Sequence, residues 1–126
     1  MTAGTLSSDY RVLVVEDQYL NADMLCEVLR GAGATVFGPI GWLEDAMDYV
    51  RRHAGQFNCA VVDINLHGHP SYPLIDELSR QGVHVVLASG FGQEALVEPY
   101  SSYPRCEKPY NEQDLIARLS RRAAAG

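Results

Sequence analysis

Two short runs of apolar, mostly β-branched residues, each ending in acidic residues, constrain the fold of this chain most strongly. The first spans Arg11 to Glu16 and the second spans Cys59 to Asp63. Strands that are apolar at every position are buried on both faces, which is typical of parallel sheets covered by helices. Segments with apolar residues at helical spacing follow both runs. The pattern therefore predicts strands that alternate with helices in an α/β fold.

The same alternation continues through the chain and gives five strand-and-helix units. The other predicted strands span residues 35–40, 83–88 and 103–107. Ser71 is predicted to cap the third helix, and Asn111 the last one. The pattern weakens between Gly90 and Pro104, so the fourth helix is expected to be short or irregular. Short connections imply right-handed crossovers and a parallel sheet with helices on both faces.

Helical spacing also assigns large apolar side chains to the core. In the first helix the recurring apolar residues are Leu20, Met24, Leu25, Val28, Leu29 and Ala32. Met24, Trp42 and Met47 are interpreted as core or near-core packing rather than as a cofactor site. The three cysteines, Cys26, Cys59 and Cys106, are too few and too widely spaced for a disulfide framework or a zinc knuckle. They are interpreted as small core residues in a reducing compartment.

Length and charge limit the function classes. The chain has 126 residues, 10 basic and 16 acidic, which gives a formal net charge of −6. One domain is expected at 11–122, after a flexible start at 1–10 and before a frayed tail at 123–126. The acidic balance disfavours a nucleic-acid partner. No stretch approaches a membrane span and the start lacks the features of a signal peptide, so no membrane contact and a cytoplasmic location are expected.

Polar residues stand where the predicted strands end. The first strand ends in Glu16-Asp17, the third in Asp63, the fourth in Ser89 and the fifth in Lys108. In an open parallel sheet the ligand crevice lies beyond the carboxyl ends of the strands. Three carboxylates, one hydroxyl and one amine are therefore expected to converge in that crevice.

Such a cluster of carboxylates favours a bound cation. Carboxylates about 5 Å apart repel by roughly 3 kcal/mol per pair at an effective dielectric near 20, so three of them need a cation or a proton. Mg²⁺ prefers a few oxygen ligands, which suits Asp17, Asp63 and the backbone carbonyl of Asn65. Lys108 supplies a positive point charge, and Ser89 a hydroxyl that could donate to a phosphoryl oxygen. An Asp carboxylate can accept a phosphoryl group, which makes Asp63 the candidate nucleophile.

Four fragments together resemble the response-regulator receiver domain of bacterial two-component signalling. They are Val12-Leu-Val-Val-Glu16-Asp17, Val61-Val-Asp63-Ile-Asn65, Ala88-Ser89-Gly90 and Glu107-Lys108-Pro109. The resemblance implies a flavodoxin-like (βα)5 three-layer sandwich with strand order 2-1-3-4-5. It implies Mg²⁺-dependent phosphorylation of Asp63 by a histidine kinase or a histidine phosphotransfer protein, and slow self-catalysed dephosphorylation. Glu16 would act mainly through water bound to the ion.

The resemblance also implies how phosphorylation is read out. A downstream protein would bind the face formed by the fourth helix, the fifth strand and the fifth helix, and a homodimer is possible. The family usually has Tyr or Phe three residues before the lysine, where this chain has Arg105. The segment Leu87-Ala-Ser-Gly-Phe91 resembles a receiver subgroup with a Phe-Ala-Thr-Gly-Tyr-like motif, whose members occur alone or fused to histidine kinases.

Two other function classes compete with a phosphorylated receiver. A pseudo-receiver would use the same fold for protein contact alone, and absence of Mg²⁺ binding would favour it. A phosphohydrolase of the haloacid-dehalogenase type also uses an Asp nucleophile, but it places a second Asp two residues later, where this chain has Asn65. The receiver is expected to act as a signalling phosphoacceptor and not as an enzyme.

Three groups of residues have a simpler structural interpretation. His67 and His69 are interpreted as surface-loop residues, since the sequence offers no third metal ligand nearby. Arg105 is read first as a solvated edge-strand residue. Tyr100, Tyr103 and Tyr110 either cover a thin part of the helix layer or form a partner-binding surface.

Overall fold

A five-stranded parallel sheet forms the centre of the fold. The computed structural model describes residues 9–90, 99–108 and 110–125, with side chains to residue 120. In chain order the strands are β1 (Arg11–Val15), β2 (Thr35–Ile40), β3 (Cys59–Asp63), β4 (Asn65–Leu66), β5 (His69–Pro70), β6 (His84–Ser89) and β7 (Arg105–Glu107). The main sheet has the order β2-β1-β3-β6-β7, and β4 pairs with β5 in a separate antiparallel hairpin. Without the two hairpin strands this is the predicted order 2-1-3-4-5, which is confirmed.

Helices cover both faces of the sheet. They are α1 (Tyr19–Gly31), α2 (Leu43–Arg52), α3 (Tyr72–Arg80) and α4 (Glu112–Ala125), with one 3₁₀ turn at Tyr100–Ser102. One core contains residues of α1 and α4, and the other contains residues of α2 and α3. The predicted flavodoxin-like three-layer sandwich is therefore present.

The position of β1 between two helical layers explains why its residues are apolar at nearly every position. Val12 and Val14 pack into the core on the side of α1 and α4, whereas Leu13 and Val15 pack into the core on the other side. All four are essentially inaccessible to solvent. Successive side chains of a strand point to opposite faces, so a strand in the middle of a three-layer fold needs apolar residues throughout.

The core assignment of Trp42 and Met24 is wrong. Trp42 is 55% exposed and Met24 is 45% exposed, and Leu20, from the same helical pattern, is 77% exposed. The buried residues of α1 are Ala22, Leu25, Cys26 and Leu29. At about 100° per residue these four form one stripe, and Leu20 and Met24 lie on the opposite side of the helix. Met47, by contrast, is partly buried against the core, as predicted.

The two predicted helix caps have different outcomes. Asn111 caps α4 as predicted, because its Oδ1 accepts a hydrogen bond from the Asp114 amide at 2.9 Å. Ser71 precedes α3, but its hydroxyl makes no cap hydrogen bond. It donates instead to the carbonyl oxygens of Asp63 at 2.7 Å and Ile64 at 3.0 Å. The predicted side-chain cap at Ser71 is wrong, because the hydroxyl is directed toward the end of β3 instead of the first amides of α3.

The three cysteines are buried thiols, as predicted. Burial raises the pKa of the Cys26 thiol and raises that of Cys106 to about 11. Both thiols are therefore protonated at neutral pH and poorly nucleophilic.

Several predictions concern the two ends of the chain and the segment before the last strand. The predicted helical turns at 93–97 and all but the last two residues of the expected flexible start at 1–10 lie outside the described residues. Strand β7 is an edge strand, as predicted, and the Leu87 amide donates to the carbonyl of Pro104 just before it. Helix α4 continues to Ala125, past the predicted end of the domain at 122. None of the helices in the described part of the chain is long and apolar enough to cross a membrane.

Candidate functional site

The three acidic residues predicted to converge do so at the carboxyl end of the sheet. One ligand oxygen from each of Glu16, Asp17 and Asp63 can be chosen so that all lie within 4.8 Å of one another. Glu16 and Asp17 follow β1 directly, and Asp63 is the last residue of β3, the neighbouring strand. Parallel pairing of these two strands therefore accounts for the cluster.

Lys108 joins two of these carboxylates. Its Nζ lies 2.6 Å from Asp63 Oδ2 and 2.8 Å from Glu16 Oε1. Glu16 and Asp63 are each only 3% exposed. A buried carboxylate is costly unless a positive charge or hydrogen-bond donors face it, so one amine shared by two acids is a compact solution. The predicted role of Lys108 as the positive charge of the site fits this geometry.

Glu16 has two further donors that position its side chain. Tyr110 donates its hydroxyl to Glu16 Oε1 at 2.9 Å, and the Gln18 amide donates to Oε2 at 3.1 Å. Sequence reasoning had assigned Tyr110 to a cluster of covering or partner-binding tyrosines and missed this contact. The available signal was its spacing of two residues from Lys108, which suits side chains on the same side of an extended segment.

The β4–β5 hairpin, which sequence reasoning did not predict, contacts the other two acids through its backbone. The Asn65 amide donates to Asp63 Oδ1 at 3.1 Å, and the His67 amide donates to Asp17 Oδ2 at 2.8 Å. His67 and His69 are exposed, as predicted for surface-loop residues. In the described part of the chain the only candidate metal-binding group is the acidic one, and it contains neither histidine.

Burial and the shared lysine shift the ionisation of the site. Burial raises the pKa of Asp63 to about 7, and the nearby Glu16 carboxylate adds to the effect, although Lys108 and the Asn65 amide oppose it. Burial alone would raise the pKa of Asp17, but hydrogen bonds, first among them the one from the His67 amide, outweigh it and lower that pKa. Burial would lower the pKa of Lys108, but its two acidic partners raise it overall. Lys108 is therefore charged throughout the physiological range.

Ser89 lies at the end of β6 and is fully buried. Its hydroxyl oxygen accepts a hydrogen bond from Arg105 Nε at 3.1 Å, and its carbonyl accepts one from the Lys108 amide at 2.8 Å. Arg105 is therefore more than a solvated edge-strand residue. It holds the hydroxyl that sequence analysis assigned to the site.

The acidic group opens into a cleft of about 470 Å³. Its lining residues are Asp17, Gln18, Asn21, Asp63, Asn65, Gly90 and Lys108. Most of these side chains end in carboxylate or amide oxygens, and hard divalent ions such as Mg²⁺ prefer oxygen ligands. The residues fit such an ion, with Asp17 and Asp63 as carboxylate ligands and Asn65 beside them.

The tyrosines before β7 are tied to α3. Tyr100 stacks on Tyr72 with ring centroids 4.2 Å apart, and it donates its hydroxyl to Asp76. The hydroxyls of Tyr103 and Ser79 are 2.6 Å apart. These contacts favour the covering interpretation for Tyr100 and Tyr103.

The chain resembles known proteins in its three-dimensional structure, and the matches come from solved structures alone. No protein-family model and no curated protein sequence matches the chain. Among solved structures, SdrG from Sphingomonas melonis Fr1 aligns with a TM-score of 0.76 and 27% identity, over 94% of this chain and 98% of that one. The PhyR response regulator REC domain of Erythrobacter litoralis aligns with a TM-score of 0.76 and 22% identity, over 91% and 90%. A response regulator receiver domain protein from Clostridium thermocellum aligns with a TM-score of 0.77 and 14% identity, over 93% and 99%.

These structural neighbours are response-regulator receiver domains. The chain therefore has the receiver-domain fold, as the four sequence fragments predicted. The likeness supports a two-component role as a response regulator or a pseudo-receiver.

Proposed function

We propose that the chain is a phosphoacceptor receiver domain in which Asp63 takes a phosphoryl group from a histidine kinase or a histidine phosphotransfer protein. The observation that carries the proposal is the placement of Asp63 at the floor of an open cleft, with Lys108 Nζ 2.6 Å from one carboxylate oxygen. A pseudo-receiver acting only by protein contact would not require a buried acid, an acidic pair and an amine at one point.

The transfer itself needs little from the protein beyond positioning. A carboxylate oxygen of Asp63 forms a bond to phosphorus while the bond between phosphorus and the donor imidazole nitrogen breaks. The imidazole leaves with that electron pair, and it leaves neutral because its other ring nitrogen carries a proton. Charge gathers on the phosphoryl oxygens during the transfer, and Lys108 is placed to stabilise it.

A divalent ion would complete the charge balance of this site. Asp17 and Asp63 would hold Mg²⁺ together with the Asn65 carbonyl, and Glu16 would act through water. When bound, the ion neutralises carboxylate charge and stabilises charge on the phosphoryl oxygens. The short ion pair between Glu16 and Lys108 holds the amine beside Asp63 whether or not an ion is bound.

The readout is proposed to run through Ser89 and Arg105. A phosphoryl group on Asp63 adds charge and acceptor oxygens, toward which the Ser89 hydroxyl can turn. Because Arg105 Nε donates to that hydroxyl, a movement of Ser89 would displace or release the Arg105 side chain on β7. The face that includes β7 and α4 would then bind a downstream protein.

Intact-mass spectrometry after incubation with acetyl phosphate and Mg²⁺ tests the proposal. The wild-type chain should gain one phosphoryl group that is lost slowly, whereas Asp63→Asn and wild type in EDTA should gain none. Asp48→Asn is a matched control, because Asp48 is an exposed acid paired with Arg52 on α2. It should be phosphorylated like the wild type.

The other outcomes separate the alternatives. An adduct that persists in Asp63→Asn would refute the assigned nucleophile. No adduct and no Mg²⁺ binding would support a pseudo-receiver. Catalytic turnover of acetyl phosphate, with phosphate released in many equivalents per chain, would support a phosphohydrolase, against which Asn65 argues.

A further inference from the structure

Trp42, the one tryptophan of the chain, is exposed but not isolated. It lies immediately before α2, and its indole stacks on the imidazole of His67. The ring centroids are 3.6 Å apart and the planes differ by 14°. Stacked aromatic pairs contribute attraction beyond simple burial. The loop between β2 and α2 is thereby attached to the tip of the β4–β5 hairpin, 25 residues away in sequence.

The tip of that hairpin is a two-residue turn in which both residues have positive φ. His67 has a φ of 50° and Gly68 has a φ of 84°. Positive φ at both residues is usual in a two-residue hairpin turn, and histidine adopts it more readily than most residues with a side chain. Because β4 and β5 have only two residues each, the hairpin has little stability of its own. The indole of Trp42 supplies a contact at its tip.

The same hairpin positions two acids of the candidate site. Its His67 amide donates to Asp17, and its Asn65 amide donates to Asp63. A shift of the hairpin would therefore move or release both carboxylates. Asn65 also carries the carbonyl expected to be the third ligand of the ion.

The loop before α2 also lies close to the backbone of the acidic pair. A Cβ added at Gly41 would lie 3.5 Å from the carbonyl oxygen of Glu16 and 3.6 Å from Asp17 Cα. Gly41 and Trp42 thus place one loop in contact with the acidic pair and with the hairpin that holds Asp17.

We propose that Trp42 is a positioning residue of the acidic site, because its stack on His67 holds the hairpin so that the His67 amide fixes Asp17. We call this stack and its effect on the His67 amide the clamp. The consequence of the clamp for metal binding rests on the proposed function, whereas the clamp itself does not. Residues that orient the ligands of an ion typically contribute about 10-fold or more to its affinity. Trp42 would do so without touching the ion.

The first experiment measures the clamp in metal-free protein. Exchange of the His67 amide proton with water is followed by NMR in wild type, Trp42→Ala and Trp42→Phe. We expect the exchange rate to rise about 10-fold in Trp42→Ala, because the amide no longer stays bonded to Asp17. Phenylalanine can still stack, so Trp42→Phe should remain close to wild type.

The second experiment measures Mg²⁺ affinity by calorimetry in the same variants. We expect the Kd to rise about 10-fold in Trp42→Ala and to be largely restored in Trp42→Phe. His67→Asn, which tolerates positive φ but removes the ring, should match Trp42→Ala. His53→Ala is the matched control, since it removes a ring stacked on Tyr49, on another part of the surface. The midpoint of urea unfolding should be the same for wild type and Trp42→Ala.

Three results would overturn the clamp. They are unchanged exchange of the His67 amide in Trp42→Ala, failure of Trp42→Phe to restore it, or a loss that merely follows a lower unfolding midpoint. A wild-type chain that binds no Mg²⁺ would count against the proposed function, while the exchange rates in metal-free protein would still decide on the clamp.

Discussion

At the scale of single residues, Asp63 combines burial with charge. It lies beside Lys108 and close to Glu16, and burial raises its pKa to about 7. An unfolded chain would bind this proton with a pKa of about 3.9. The folded state therefore binds more protons at this carboxyl than the unfolded state between these two values. By linkage, the contribution of Asp63 to stability falls as pH rises through that window.

This shift predicts how Asp63→Asn changes stability. The free energy of unfolding of the wild type, minus that of Asp63→Asn, should decrease by about 4 kcal/mol between pH 4 and pH 8. Asparagine fills the same space and cannot ionise, so the variant keeps the shape and loses the titration. Urea unfolding of both chains in EDTA, at one-unit pH intervals, measures the difference. A difference that rises with pH, or stays constant, would contradict the raised pKa.

At the scale of elements, Ser71 links the start of α3 to the end of β3. Its fully buried hydroxyl donates to the carbonyls of Asp63 and Ile64, and its amide donates to Ile64 as well. Strand β3, the hairpin and α3 therefore meet at one side chain. This arrangement fixes where the carboxyl end of β3 lies relative to the cleft.

Ser71→Ala should consequently destabilise the fold by about 1–2 kcal/mol, because it leaves buried carbonyl groups short of a donor. Ser79→Ala is the matched control on the same helix. Its hydroxyl contacts Tyr103 at an exposed position, so its replacement should change stability by less than about 0.5 kcal/mol. Urea unfolding monitored by circular dichroism compares the two variants. Equal effects would show that the contacts of Ser71 with the end of β3 are unimportant for stability.

At the scale of the whole molecule, the candidate ligands come from distant parts of the chain. Asp17 follows β1, while Asp63 and Asn65 lie more than 40 residues later. A ligand that binds only the folded state stabilises it by mass action. On the proposed function, Mg²⁺ should act on global stability through this site.

Saturating Mg²⁺ at about 100 times its Kd should raise the free energy of unfolding by about 2.7 kcal/mol. Asp17→Asn, which removes one carboxylate ligand, should show a much smaller increase at the same concentration. Ca²⁺-free buffers of constant ionic strength keep screening equal between the arms. Thermal unfolding with and without Mg²⁺ measures the effect. The same increase in both chains would indicate general ionic stabilisation and not binding at the acidic group.

The sequence by itself determined the five strands of the main sheet and the edge of that sheet that carries the acids. Apolar strands such as Arg11–Val15 and Cys59–Asp63 need helices on both faces, and parallel strands bring the residues after them to one edge. The convergence of Glu16, Asp17, Asp63 and Lys108 could therefore be predicted, because it depends on periodicity and on strand direction alone.

Only the tertiary structure decided which contacts refine that site. The Tyr110 hydroxyl on Glu16, the Arg105 guanidinium on Ser89, the hairpin amide on Asp17 and the stack of Trp42 on His67 all join segments far apart in sequence. Trp42 and Ser71 were misassigned because an apolar ring and a hydroxyl suit several local roles equally well. Which role they take depends on the partner that the fold brings within about 3–4 Å, and local sequence does not encode that distance.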